Sequence, residues 1–201
     1  MENILSTAYF PPVSYFVSLR TEQQVTIEQW ETYTKQTLRN HCHIYGPNGE
    51  QRLSVPVVKV NGNHTLTKDI RIALNNNWQK IHWRSIETAY NKSPYFLYYK
   101  DYFIPFFEKK QEFLLDLNTR LLETVSPLLR WDLRIELTEN YQGLNLPAFN
   151  QKKETTRPEE MLFFPEYIQV FSSRTGFIPD LSILDLIFNL GPEAGEYLDS
   201  L

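Results

Sequence analysis

The dipeptide Asn48-Gly49 lies between two runs of strand-forming residues and restricts the fold more than any other short segment. The first run covers residues 41–45, and the second covers residues 51–59 with apolar side chains at alternate positions. Asn-Gly favours a tight turn between two such runs, because both residues tolerate the positive φ that the turn needs. The segment is therefore predicted to form an antiparallel β-hairpin.

The N-terminal part of the chain has the pattern of a β-α-β unit. Residues 3–9 are mostly small and apolar, and they are predicted to form a buried strand that ends at a Phe-Pro-Pro turn. Residues 13–19 place two aromatic residues and a leucine on one helical face, and residues 24–29 show the alternation of a second strand. A strand, a helix and a strand in this order predict a Rossmann-like start.

The rest of the chain is predicted to be mainly helical. Of three helices in the middle, the second is expected to be kinked or divided at Pro105, and the third is expected to stop at residues 126–127. A polar stretch without a period predicts a surface loop over residues 140–158, and residues 166–171 are predicted to form a last strand. Residues 182–185 fit a capping box, in which Asp replaces the usual Glu, at the start of a C-terminal helix.

Length and composition narrow the class of protein. The 201 residues suit a single domain over residues 1–201, and a hydrophobic content of 42% supports a substantial core. The predicted fold class is α/β, with a Rossmann-like β-α-β start, an inserted β-hairpin and a mainly helical C-terminal half. A net charge of −4 argues against a nucleic-acid partner, since such binding depends on phosphate neutralisation by Lys and Arg.

Cys42 is the single cysteine, so no intramolecular disulfide is expected, which suits a reducing cytoplasm. The N-terminal residues contain no basic segment followed by an apolar run, and no signal peptide is predicted. No run approaches the ~18 apolar residues of a membrane helix. We therefore expect a cytoplasmic protein without a membrane span, and the aromatic content of 14% is compatible with a homodimer.

Four motifs resemble the WbqC-like protein family in sequence, order and spacing. They are LSVPV at residues 53–57, WQKIHWRSIETAYNKSPYF at 78–96, LLDLN at 114–118 and GFIPDLSILDLIFNLGP at 176–192. The resemblance implies a place in surface-polysaccharide biosynthesis. It further implies transfer of an acyl or aminoacyl group to an amino sugar, with a nucleotide-linked sugar as partner.

The sequence departs from the family pattern where chemistry is most expected. The family's His-Gln-Pro-Asn-Tyr motif aligns with residues 5–9, of which only Tyr9 matches, and its Asp pair aligns with Gln29 and Trp30. The family's basic run is replaced here by residues 39–43. These losses leave a second hypothesis open, in which the chain is a catalytically degenerate relative that acts as a ligand-binding or protein-interaction module.

The candidate site residues are the histidines near the hairpin and on the first middle helix, together with the polar residues around them. The predicted catalytic residues are His41, His43 and His82, and the predicted substrate-binding residues are Lys35, Asn40, Lys80 and Tyr95. His82 borders an apolar stripe, so it is either a general base or a structural histidine. Two histidines on one strand face can ligate zinc, but a third ligand is missing, so neither a metal nor another cofactor is predicted.

Two further features have competing interpretations. An aromatic stripe over residues 95–103 favours a core helix face, and the alternative is a surface on which a carbohydrate stacks. Asp185 and Asn189 share a helix face that is otherwise apolar, so this polar pair is expected either to anchor a loop or to line the site.

Overall fold

A computed structural model describes residues 4–74, 77–142 and 163–201 of the chain. The strands in these ranges are β1 Ile4–Ser6, β2 Gln24–Glu28, β3 His41–Gly46, β4 Gly49–Ser54, β5 Val57–Val58, β6 Arg71–Ile72 and β7 Arg134–Leu137. The helices are α1 Val13–Val17, α2 Trp78–Tyr90, α3 Phe96–Glu108, α4 Leu114–Leu128, α5 Ser172–Thr175, α6 Ile183–Leu190 and α7 Ala194–Asp199.

A three-stranded parallel sheet, in the order β1-β2-β7, forms the base of the fold. Ile4 is paired with Thr26 in β2, and Ile27 is paired with Leu137 in β7. Helix α1 connects β1 to the parallel strand β2, which confirms the predicted β-α-β start. The central strand β2 places Val25 and Ile27 in the core, as its alternating pattern predicted.

Strands β3 and β4 form the predicted hairpin. Their register runs from His41 opposite Ser54 to Gly46 opposite Gly49, so the two turn residues are Pro47 and Asn48 rather than Asn48 and Gly49. Gly49 is the first residue of β4, and of the expected pair it alone has a positive φ. Gly49 has φ 102°, a conformation that L side chains rarely adopt, which explains why glycine follows Asn48. The apolar face of the hairpin is buried in the core.

The helical second half is confirmed, but Pro105 does not divide its helix and Pro127 does not end its helix. Helix α3 continues through Pro105, and α4 continues through Pro127 to Leu128. Proline removes the hydrogen bond to the carbonyl four residues earlier. For Pro105 that carbonyl belongs to Asp101, and both residues are exposed, so water can take the place of the missing donor.

The aromatic stripe of α3 divides between core and surface. The phenylalanines Phe96 and Phe103 are buried, whereas Tyr98 and Tyr102 are 74% and 53% exposed. A phenylalanine ring needs no hydrogen-bond partner in the core, but a buried tyrosine hydroxyl does. The preferred interpretation as a core face therefore holds for the phenylalanines and not for these tyrosines.

Residues 166–171 form no strand, and residues 182–185 form no complete capping box. Ser182 caps α6 by accepting the Leu184 N–H at 3.3 Å, as predicted. The Asp185 carboxylate instead accepts hydrogen bonds from Tyr167 Oη at 2.6 Å and Gln169 Nε2 at 2.8 Å. Asp185 thereby anchors residues 166–171 to the core, and this tertiary contact replaces both local expectations.

Buried apolar side chains from the sheet, the hairpin and α1 to α4, α6 and α7 form a core cluster. The predicted loop over residues 140–158 lies outside the described residues, except for the exposed residues 140–142. Within the described ranges no helix combines the length and apolarity needed to cross a bilayer. The single domain over residues 1–201 stays a prediction.

Candidate functional site

One face of the β3–β4 hairpin brings together two of the predicted catalytic histidines. His41 lies opposite Ser54, and His43 lies opposite Arg52. Directly opposed residues in an antiparallel pair point to the same side of the sheet, as do residues two apart on one strand. The two imidazole rings are accordingly close, with centroids 5.4 Å apart. We call this surface, formed by His41, His43, Glu50, Arg52 and Ser54, the hairpin face.

On the hairpin face, His43 pairs with a carboxylate. Its Nδ1 contacts Oε1 of Glu50, and about a third of each side chain is exposed. A carboxylate at Nδ1 favours the tautomer with the proton on Nδ1, which leaves Nε2 as the acceptor. An exposed imidazole oriented in this way is suited to removing a proton from a bound substrate.

His41 is the more buried histidine of the hairpin face. Burial, and after it the positive charge of Arg52 and the proximity of His43, lowers its pKa from 6.5 to about 4. Its ring is therefore neutral near pH 7, and Nδ1 accepts a long hydrogen bond of 3.5 Å from Nη2 of Arg52. The charge of Arg52, which opposes protonation of His41, would also attract an anion to this surface.

His82, the third predicted catalytic residue, lies in the core instead. It is 3% exposed, and its Nδ1 is 2.9 Å from the hydroxyl of Tyr9. Burial lowers its pKa to about 4, against the effect of a hydrogen bond to the backbone of Ser54. His82 is therefore a neutral ring that links Tyr9, in the segment after β1, to Ser54 at the end of β4. Its role in catalysis stays a prediction.

The predicted substrate-binding residues do not form one cluster. Lys35 and Lys80 are exposed. Asn40 donates from Nδ2 to the carbonyl of Val55 at 3.1 Å, while its buried Oδ1 has no partner among the described residues. Tyr95 packs against Tyr98 and Tyr99 at the start of α3, and its backbone N–H bonds to α6.

A buried ionic network at the carboxyl end of the parallel sheet was not among the predicted site residues. Arg39 donates from Nε to Oε1 of Glu31 at 2.8 Å and from Nη2 to Oε2 at 2.5 Å. Ser6, the last residue of β1, donates its hydroxyl proton to Oε1 of Glu31 at 2.8 Å. All three residues are at most 4% exposed. We call Ser6, Glu31 and Arg39 the carboxyl-edge network.

A second buried carboxylate lies at the end of β2. Glu28 is fully buried, and its Oε1 accepts from the backbone N–H of Trp30 at 2.7 Å and from the hydroxyl of Thr138 at 2.9 Å. The family's Asp pair aligns with Gln29 and Trp30, so Glu28 and Glu31 flank the expected positions. An acidic residue at the carboxyl end of a predicted strand, or within three residues of it, is the sequence signal that would have identified both acids.

A model of the WbqC-like protein family matches residues 7–152, more than half of the chain. The chain belongs to the WbqC-like protein family. This WbqC-like protein is also similar to the uncharacterized protein Rv1507c of Mycobacterium tuberculosis, at 27% identity over 225 residues that cover 97% of this chain and 96% of the relative. No solved structure matches the chain.

The family match confirms the resemblance that the sequence motifs indicated. The matched range of this WbqC-like protein contains the hairpin face as well as Glu31 and Arg39, whereas the motif at residues 176–192 lies beyond it. The residues described by the structure contain no group of three His, Cys, Asp or Glu side chains that could hold a metal ion.

Proposed function

We propose that this WbqC-like protein transfers an acyl or aminoacyl group to the amino group of a sugar, with His43 as the general base. The observation that carries the proposal is the contact of His43 with Glu50 on a partly exposed strand face. The amine nitrogen attacks the acyl carbonyl carbon, and the bond from that carbon to the donor's leaving group breaks. The proton lost by the nitrogen goes to Nε2 of His43, while Glu50 stabilises the imidazolium.

Arg52 supplies the binding half of the proposal. Its guanidinium lies beside His41 on the exposed strand β4 and presents several N–H donors in one plane. Such a group binds phosphate through paired hydrogen bonds, which suits a nucleotide-linked amino sugar as the acceptor. Lys35, Asn40, Lys80 and Tyr95 stay predictions as substrate-binding residues, and so does the place of the protein in surface-polysaccharide biosynthesis.

The test is incubation of the purified protein with a panel of nucleotide-linked amino sugars and acyl or aminoacyl donors. Product is detected as the corresponding gain in mass of the sugar. We expect turnover with the wild type and a loss of about 100-fold or more in kcat for His43→Gln, the effect of removing a general base. His64→Gln is the matched control, because His64 is an exposed histidine outside the hairpin face. Absence of turnover across the panel would count against the transferase.

A second candidate function, ligand binding or protein interaction without catalysis, is favoured by the carboxyl-edge network. α/β proteins commonly bind ligands in the crevice at the carboxyl ends of parallel strands. Here Glu31 and Arg39 at that edge are buried and bonded to each other, so they are occupied within the fold rather than presented to a substrate. Calorimetric titration with the same nucleotide-linked sugars distinguishes the two functions. Binding that depends on Arg52, without turnover for any donor, would favour the binding module.

A further inference from the structure

A small cavity lies between the segment after β1 and helix α4. Its wall includes Thr7 and Ala8 after β1, Ile27 of β2, and Asn118, Thr119 and Leu122 of α4. The enclosed part has room for about one water molecule, and the cavity is open on one side. The cavity therefore lies near the carboxyl ends of two parallel strands, separate from the hairpin face.

Asn118 brings an acceptor without a partner to this cavity. The residue is 2% exposed, and its Nδ2 donates to the carbonyl of Arg39 at 2.8 Å. That bond fixes the orientation of the amide group, because a carbonyl accepts a hydrogen bond only from the nitrogen side. The remaining atom, Oδ1, is buried and has no hydrogen-bond partner among the described residues. A buried amide oxygen in this state favours a ligand that donates an N–H or O–H.

The neighbouring residue Thr119 provides a second polar atom. A threonine inside a helix commonly donates its hydroxyl proton to the carbonyl four residues earlier. Thr124 does so on the same helix, with 2.8 Å from its Oγ1 to the carbonyl oxygen of Arg120. The Oγ1 of Thr119 is buried but makes no such bond within the described chain. Thr119 can therefore both donate to and accept from a group in the cavity.

We propose that this cavity binds one hydroxyl group of a neutral sugar. A hydroxyl donates to Oδ1 of Asn118 and exchanges a second hydrogen bond with Oγ1 of Thr119, and it is about the size of the single water molecule for which there is room. The sugar ring stays outside the cavity, while Ala8, Ile27 and Leu122 form the apolar part of the wall around the hydroxyl group. None of the described residues in the wall is charged, so an ammonium group would be buried there without an opposite charge and is disfavoured.

This proposal rests on the proposed function only in its choice of a sugar as the ligand. The binding step needs no acyl donor and no contribution from the hairpin face. Failure of transfer and failure of this site are therefore distinguishable. A protein that binds glucose at α4 but never transfers an acyl group supports the site and not the transferase, whereas turnover without glucose binding at α4 supports only the transferase.

The experiment is an NMR titration of glucose into the full-length protein, with methyl resonances of Ala8, Thr119 and Leu122 as reporters. We expect saturable shifts at these methyl groups in the wild type. Thr119→Val removes Oγ1 at nearly constant size and should weaken binding by about tenfold. The same variant should unfold at the same or a higher temperature, because the hydroxyl makes no hydrogen bond with the residues that the structure describes.

Thr124→Val is the matched control on the same helix. It should leave the dissociation constant for glucose within about twofold, because its hydroxyl is already bonded to the carbonyl of Arg120. A titration without saturable shifts at the three methyl groups overturns the proposal, since water would then be the occupant. Equal binding by the wild type and Thr119→Val overturns it as well.

Discussion

His82 is expected to make the protein less stable in acid. The ring is 3% exposed and lies 2.9 Å from the hydroxyl of Tyr9. Burial lowers its pKa from 6.5 to about 4. Below pH 6.5 the unfolded chain therefore binds a proton that the folded protein takes up only near pH 4, so each step towards acid favours unfolding.

The size of this effect follows from the two pKa values. The interval from 6.5 to about 4 corresponds to about 3 kcal/mol in the free energy of unfolding. This stability is fully present above pH 6.5 and is lost as the pH falls through the folded value of about 4. This loss is a substantial part of the free energy of unfolding of an ordinary domain, which is about 5–15 kcal/mol.

The assay is urea unfolding followed by tryptophan fluorescence, at about pH 7 and about pH 4, for the wild type and His82→Asn. Asparagine does not titrate, and its Oδ1 can accept the Tyr9 hydroxyl proton in place of Nδ1. We expect the variant to lose about 3 kcal/mol less than the wild type between the two pH values. Other titrating groups contribute equally to both proteins and cancel in the difference.

His64→Asn is the control, because His64 is an exposed histidine outside the core. This variant should follow the wild type at every pH. If His82→Asn loses as much stability in acid as the wild type, the burial of a neutral ring at position 82 is not the cause, and the reasoning is refuted.

Three other perturbations have calculable outcomes. Burial raises the pKa of Asp185 from 3.8 to about 6. The contribution of Asp185 to the free energy of unfolding is therefore fully present below pH 3.8 and is lost as the pH rises through about 6, a fall of about 3 kcal/mol. Urea unfolding of Asp185→Asn should lack this fall. Glu31→Gln leaves the charge of Arg39 buried without its ion pair and should cost about 3–5 kcal/mol in urea unfolding, whereas adding Arg39→Met should restore part of the loss. Gly191 and Gly176 both have positive φ, 56° and 78°, so alanine is strained at either position. Only at position 191 would the new Cβ also collide with a ring, that of Tyr95, since nothing lies within 4 Å at position 176. Gly191→Ala should therefore lower the melting temperature more than Gly176→Ala. A larger effect at position 176 would contradict the role of the ring.

Much of the architecture was predictable because it depends on residues close together in the chain. The turn at Pro47-Asn48, with Gly49 directly after it, and the alternation of β2 each act over a few residues. The same locality explains why His41 and His43 were correctly placed on one face, since residues two apart on a strand point to the same side. Periodicity similarly predicted the helices of the second half, but not the continuation of α4 through Pro127.

The partners of the buried polar groups were decided by the tertiary structure. Glu31 and Arg39 are eight residues apart in sequence but bond each other only because the turns after β2 bring them back to the end of β1, where Ser6 completes the network. Strand β7 pairs with β2 although more than 100 residues separate them. No local preference encodes such pairings.

The histidines show the same division. The sequence by itself determined that His41 and His43 share a strand face and that His82 borders an apolar stripe. Only the tertiary structure decided that Glu50 orients His43 and that Tyr9 and the hairpin backbone enclose His82. The physical reason is that backbone preference and periodicity act over a few residues, whereas burial and hydrogen-bond partners depend on which distant segments pack together.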